Sequence, residues 1–187
     1  MTSGPLDLPK QRYDVIAADP PWAYLWGTGK AGGNFAPEKH YRTLSVDELC
    51  DLPVRDLRAP NCALALWTTG PTLPDALRVM DAWGFKYKTA LFVWVKLNPK
   101  SLTVVTGPGS YTRSACEYVL LGMRGHLKRA TTEPVSQVIQ TPRGRHSAKP
   151  DLMQEGLERL WPDASRIELF ARRRRPGWDS WGDELEA

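Results

Sequence analysis

The sequence predicts a single α/β domain, doubly wound, with a mainly parallel sheet between layers of helix. Three observations carry this. The chain has 187 residues, 42% of them hydrophobic, enough to close one core. Its apolar runs are short, β-rich and nearly unbroken, as in strands covered on both faces. Helical patterns separate those runs, and strand–helix–strand alternation builds a three-layer sandwich.

The elements follow in order. Tyr13–Ala18 (YDVIAA) is the first buried strand. Residues 26–40 are Gly-rich and without period. Ser45 and Glu48 form a capping box that opens a helix over residues 46–52. Residues 62–68 (CALALWT) are the second strand. Thr72 can cap a helix that puts Leu73, Ala76, Leu77, Met80 and Trp83 on one face. Pro74 falls in its first turn and Gly84 closes it. Residues 90–95 (ALFVWV) form the third strand and 117–122 (EYVLLG) the fourth, with an irregular stretch at 97–113 between them. Residues 126–146 are basic and Thr/Pro-rich, and 135–139 could add an edge strand. A last helix runs from about Pro150 to Trp161, and residues 166–170 (RIELF) form the fifth strand. Irregular segments this long in a compact domain are usually functional or disordered.

Composition excludes several classes. No apolar run approaches the ~18 residues of a membrane-spanning helix. The start, MTSGPLDLPKQ, lacks the basic and apolar regions of a signal peptide. Cys50, Cys62 and Cys116 are widely spaced, which fits a reduced, cytoplasmic protein without a disulfide framework or thiolate zinc site. His40, His126 and His146 form no metal-binding pattern, so no metal is expected. Eight tryptophans and a net charge of +4 stand out. Flat rings and excess base favour a polyanionic, stackable partner.

Asp19-Pro20-Pro21-Trp22 directly follows the first strand, at the strand end where open α/β sheets bind ligands. The prolines fix φ and remove two N–H donors, so the turn is expected to present unopposed carbonyl oxygens. Asp19 adds a carboxylate acceptor and Trp22 a flat ring. Acceptors beside a stacking surface suit a planar, amine-bearing group such as a nucleobase. An arbitrary D-P-P reads as a stiffened turn; the strand placement and the fourth-position aromatic reverse that preference.

D-P-P-W after a hydrophobic strand resembles motif IV of amino-methyltransferases that modify adenine N6, in particular the MT-A70 family. Other segments, in order, strengthen the resemblance. His40-Tyr41-Arg42-Thr43 with Asp47-Glu48-Leu49 and Leu52-Pro53 resembles H-Y-x-T…E-L…L-P. Leu66-Trp67-Thr68-Thr69 and Trp94-Val95-Lys96 resemble the second and third core strands. Residues 106–111 (TGPGSY), then Arg113, Glu117, Gly122, Arg124 and Gly125, resemble G-x-[YW]-x-R…E…G-x-R-G. Ser147-Ala148-Lys149-Pro150 resembles S-x-K-P, and residues 167–172 (IELFAR) resemble the E-L-F-A-R strand. The likeness covers nearly the whole chain from Tyr13.

The resemblance implies a small version of the three-layer, Rossmann-like class I methyltransferase fold, with permuted motif order and one domain over residues 1–187. It implies S-adenosylmethionine as cofactor and methyl transfer to adenine N6. Asp19 and the carbonyl of Pro20 would take the two N–H bonds of the amine, aiming its lone pair at the methyl group. Pro21 would hold the turn and Trp22 would stack on the base. At the cofactor it places Asp19, Lys149, Phe170, Arg172, Arg174, Asp183 and Glu184. Lys149 precedes Pro150, taken as a first helical position. A cation there is disfavoured unless an anion intervenes, and the cofactor's carboxylate is the expected anion. At the substrate it places Trp22, His40, Tyr41, Gly109, Tyr111 and Arg113, with Gly107 and Gly109 permitting close backbone approach. His40 could equally serve a tight turn packed on Tyr41. Glu117 is expected to pair with Arg113 and to be structural.

The expected partner is nucleic acid, DNA ahead of RNA, without membrane association. The alternatives are an RNA adenosine N6-methyltransferase and a non-catalytic nucleic-acid-binding subunit of the same fold. Few residues precede Asp19, so the sheet is expected to be minimal or completed by association, as a homodimer or with a partner subunit. The expected location is the cytoplasm of a bacterium, or of the host if phage-encoded.

Overall fold

A computed structural model describes residues 8–23, 43–109, 111–144, 149–183 and 185. Its centre is a seven-stranded sheet of order β5-β3-β4-β2-β1-β6-β7. The strands are β1 (Tyr13–Ala18), β2 (Arg58–Thr68), β3 (Lys86–Leu97), β4 (Cys116–Arg124), β5 (Val138–Pro142), β6 (Arg166–Leu169) and β7 (Asp179–Trp181). β1 lies parallel to both β2 and β6, and β6 to β7. β4 alone among them is reversed: it pairs antiparallel with β2 and β3, while β5 runs parallel to β3. The carboxyl ends of six strands therefore share one edge with the start of β4. No helix is long and apolar enough to cross a membrane among the described residues.

Side-chain alternation sorts the strands into two apolar layers. On β2, Cys62, Leu64 and Leu66 enter one layer; Ala63, Ala65 and Trp67 enter the other. The first layer lies under helices α1 (Val46–Asp51) and α2 (Leu73–Ala82), through Leu49, Ala76, Val79 and Met80. The second lies under α3 (Leu152–Leu160), through Met153, Leu157 and Leu160. Tyr13 and Ile16 share a layer despite odd spacing, because the β1–β2 register shifts between Tyr13 and Val15.

Local sequence explains the element ends. The capping box of Ser45 and Glu48 is formed in both directions. Gly84 closes α2 at φ +76°, and Phe85 N–H returns to Met80 O in the left-handed helix ending that glycine favours. Thr72 does not cap α2 through its side chain. Its buried hydroxyl instead bonds Thr68 Oγ1 and accepts from Thr69 N–H, tying down the end of β2. The edge strand forms at β5, three residues later than the pattern suggested. There Trp94 Nε1 donates to Thr141 Oγ1 across the pair. α3 starts at Leu152 with Asp151 as N-cap, so Pro150 precedes the helix and is not its first residue. β7 escaped the sequence reading, because three residues with mixed burial carry no period.

The tryptophans settle mostly into the core. Trp83 joins the first layer; Trp67, Trp94, Trp161 and Trp178 join the second. Trp26 lies outside the described residues.

Candidate active site

Asp19 stands one residue past the end of β1, where Asp19 N–H reaches Leu169 O of β6 at 3.5 Å. Lys149 Nζ donates to Asp19 Oδ2 at 2.7 Å and lies 3.4 Å from Glu117 Oε2. Lys96 Nζ in turn bonds Glu117 Oε1. Four groups from four parts of the chain thus form one line of alternating charge: Asp19, Lys149, Glu117, Lys96. Trp67 and Trp94 lie beside it, edge to face at 6.2 Å. Lys149 Nζ is 5.4 Å from the Trp67 ring centre and Lys96 Nζ is 5.0 Å from that of Trp94, both within cation–π range.

This line is only partly open to water, and its charges hold one another. Burial pushes the Lys149 ammonium down, but Asp19 and Glu117 outweigh it and hold its pKa above the ordinary lysine range. Burial pushes Glu117 up, but Lys149 and Lys96 outweigh it and leave it below the usual glutamate range. Buried ions survive only when paired in this way. Among the described residues nothing donates to Asp19 Oδ1. With 22% of its side chain exposed, Asp19 offers one oriented acceptor at the mouth of the sheet.

The structure corrects several expectations for the tetrad. Pro20 O accepts Trp22 N–H at 2.8 Å in a three-residue turn, and Pro21 O accepts Leu44 N–H at 2.9 Å. Neither carbonyl is unopposed; each keeps its second lone pair. Trp22 is only 5% exposed and sits in the first core layer. Its Nε1 donates to Trp67 O at 3.2 Å. The ring therefore fixes the Asp19 turn onto β2 and presents no open face for stacking.

Other expectations shift as well. Lys149 meets two anions of the chain itself, Asp19 and Glu117, and it lies ahead of the helix start at Leu152. Glu117 pairs with two lysines and not with Arg113. A Cβ at Gly109 would come 1.8 Å from Thr112 O, and one at Gly107 2.3 Å from Ser114 O. The close approach these glycines permit is within their own loop. Arg174 lines an open groove of about 790 Å³ with Tyr13, Trp178 and Asp179. Tyr13 and Asp179 open β1 and β7, so Arg174 lies at the opposite end of the sheet from Asp19. Tyr111 and Arg113 are exposed on the loop that joins β3 to β4. His40, Tyr41 and Glu184 lie outside the described residues.

The carboxyl end of β6 fits the cofactor that the sequence implies. Phe170 follows it at φ +61°, a conformation that non-glycine residues adopt at a cost and that clusters at ligand sites. Its ring meets Trp181 edge to face at 5.4 Å. Gly182 allows the chain after β7 to close on Ala171, whose O lies 2.4 Å from where a Cβ would be. Arg172 and Asp183 sit at this same end. Glu168 accepts from Gln154 Nε2 at 3.2 Å, while buried Gln154 Oε1 has no partner among the described residues. Burial holds Glu168 above the usual glutamate range, with Asp19 adding to the effect against the bond from Gln154. An S-adenosylmethionine molecule presents a sulfonium, an ammonium and ribose hydroxyls. Oriented carboxylates and an unpartnered buried amide oxygen suit that set. No group of three His, Cys, Asp or Glu residues converges on a metal position among the described residues.

Glu117, Glu168 and Gln154 were missed as site residues. Their signal was a polar residue inside an otherwise apolar strand or helix face, which demands a partner.

Comparison with known proteins agrees with this geometry. The model of the MT-A70 family matches residues 13–184. A type II methyltransferase, M.MunI, from Mycoplasma sp is 36% identical over 95% of this chain and 80% of its own length. An Arabidopsis thaliana protein named N(6)-adenosine-methyltransferase MT-A70-like is 30% identical over 92% of this chain but 24% of its own. The human N(6)-adenine-specific methyltransferase METTL4 is 28% identical over 94% of this chain and 38% of its own. The chain thus spans most of the first relative and a minor part of the other two.

Proposed function

This chain belongs to the MT-A70 family, and from that premise we propose that it methylates the N6 amine of adenine in DNA, with S-adenosylmethionine as donor. The observation that carries the reading is Asp19, anchored by Lys149 through one oxygen and open through the other. When bound, the cofactor supplies an electrophilic methyl group on a sulfonium. An adenine amine is a poor nucleophile, since its lone pair is shared with the ring. Asp19 Oδ1 accepts one N–H and the spare lone pair of Pro20 O accepts the other. The nitrogen is held with its lone pair aimed at the methyl group, and the positive charge it gains is stabilised by Asp19. The proton it then sheds passes to Asp19 Oδ1, already hydrogen-bonded to it. Lys149 keeps that carboxylate fixed. Trp22 supports the turn from below. Glu168 and Gln154 would hold the cofactor's ammonium, and Arg172 and Asp183 its ribose.

Similarity supports DNA over RNA: the relative named a type II methyltransferase is 36% identical to this chain, and the adenosine-named relative 30%. A second copy or a partner subunit would cover the short outer edge of β7. All three cysteines are free, in keeping with a cytoplasmic location.

The test uses labelled S-adenosylmethionine with separate pools of duplex DNA, single-stranded DNA and RNA, each digested and assayed for N6-methyladenine. Product in the DNA pools is expected. Product in RNA alone would replace the substrate assignment; none in any pool would overturn the reading. Asp19→Ala should abolish turnover, a loss of about a thousandfold or more, with an unchanged fold by circular dichroism.

A further inference from the structure

The segment between β3 and β4 holds a residue that folding alone does not explain. β3 continues well past the level of Ala18. Ala18 registers with Leu66, Leu66 with Leu120 and Leu120 with Ala90, yet β3 ends only at Leu97. The loop from residue 98 to 115 therefore rises beyond the strand end that carries Asp19, flanked by Lys96 and Glu117 of the charged line that reaches Asp19. Its tip is closely tied. Asn98 N–H donates to Thr103 O at 2.8 Å and Leu102 N–H to Asn98 O at 3.0 Å. Asn98 Nδ2 donates to Thr103 Oγ1 at 3.1 Å, and Ser101 Oγ lies 2.8 Å from Thr103 Oγ1.

This tip turns through the left-handed region, and the residue there is Leu102, at φ +54°. Glycine or asparagine would take that conformation at little cost. Leucine pays for it and gains little packing, because Leu102 is 61% exposed, and Val104 beside it is 51% exposed. Strain without a folded-state return points to function. The loop's own charge is of one sign: Lys100 and Arg113 lie in it, and residues 97–115 include no acid.

We infer that Leu102 is an apolar wedge that enters the base stack of duplex DNA at or beside the target step, while the adenine occupies the Asp19 site. The inference rests on the proposed function and deepens it. A duplex target must leave the stack at a cost in stacking and pairing, and an inserted aliphatic side chain partly replaces the lost stacking. Lys100 and Arg113 neutralise the flanking phosphates. The tied hairpin keeps the wedge rigid.

The experiment compares wild type, Leu102→Ala and Leu102→Gly on two duplexes. Both carry the methylated sequence found in the first assay. One has its target adenine paired with thymine, the other has it opposite an abasic site. On the paired duplex both variants should lose about tenfold or more in kcat/KM. On the pre-opened duplex the loss should be under about twofold. A 2-aminopurine at the target should brighten on binding wild type and stay quenched with the variants. Leu102→Gly should melt at or above the wild-type temperature, which separates a lost wedge from a damaged fold. Equal losses on both duplexes, or no loss on either, would overturn the wedge. If wild type methylates neither duplex, the proposed function fails instead.

Discussion

At the amino ends of the strands, Tyr13 donates to Asp179 Oδ2 at 2.6 Å, and Asp14 Oδ2 accepts from both Ser165 N–H and Ser165 Oγ. Arg166 bonds the carbonyls of Trp161 and Pro162. Three of these five bonds join a side chain to backbone, and each set is closed on itself. At the carboxyl ends, Asp19, Lys149, Glu117 and Lys96 tie side chain to side chain in one open line. The residue types are similar; the connectivity differs. Closed pairs fasten elements together. An open line of charge holds a reactive carboxylate still while leaving an oxygen free.

Lys149→Met should break the contrast hardest. It would leave Glu117 buried beside Asp19 without the cation between them. Removing one partner of a buried ion pair costs about 3–5 kcal/mol, and denaturant unfolding should show a loss of that order. Adding Glu117→Gln should recover part of it, because the two sites are coupled. A loss below about 1 kcal/mol in Lys149→Met would mean that the line behaves like a surface ion pair.

That coupling marks where the sequence stopped being legible. Tyr13–Ala18 was readable to the residue, because a buried strand between turns leaves an apolar run of its own length. Asp19 was readable because a carboxylate after such a strand, before two prolines, has few structural uses. Lys149 was singled out for an awkward position, but its partners were not. Glu117 lies 32 positions before it and Asp19 130 before it, and no local pattern records which strands become neighbours. Trp22 misled for a related reason. An aromatic after a turn can face a ligand or the core, and only the packing of β2 against β1 decides. Arg174 was placed by its distance along the chain from a cofactor strand, yet the chain after β6 turns back along α3. There Arg175 bonds Glu158 at 2.8 Å.

Acid should sharpen the comparison next. Glu117 has a folded pKa below its unfolded value of about 4.3. Its stabilisation is complete above that unfolded value and is lost as pH falls through the folded one. Lys149 is shifted upward, so its share is complete below about 10.4 and is lost only as pH rises beyond that. Glu117→Gln should therefore be less stable than wild type at neutral pH by about 1–3 kcal/mol. The gap should narrow as pH falls below about 4. Melting curves at stepped pH check this; a gap that stays constant into acid would remove Glu117 from the line.

The smallest effect belongs at the amino end. Tyr13 is 1% exposed, and burial followed by the Asp179 carboxylate pushes its hydroxyl well above the usual tyrosine range. The hydroxyl is thus a neutral donor at every working pH. Tyr13→Phe keeps the ring in the first core layer and removes one hydrogen bond. Asp179 is exposed and can bond water instead, so little is left unsatisfied. The loss should be about 1 kcal/mol, near 2–4 °C in Tm for a chain of this size, with methylation rate unchanged. A larger fall in rate than in stability would show that the amino end reaches the Asp19 site through β1, and that the two ends are not separate devices.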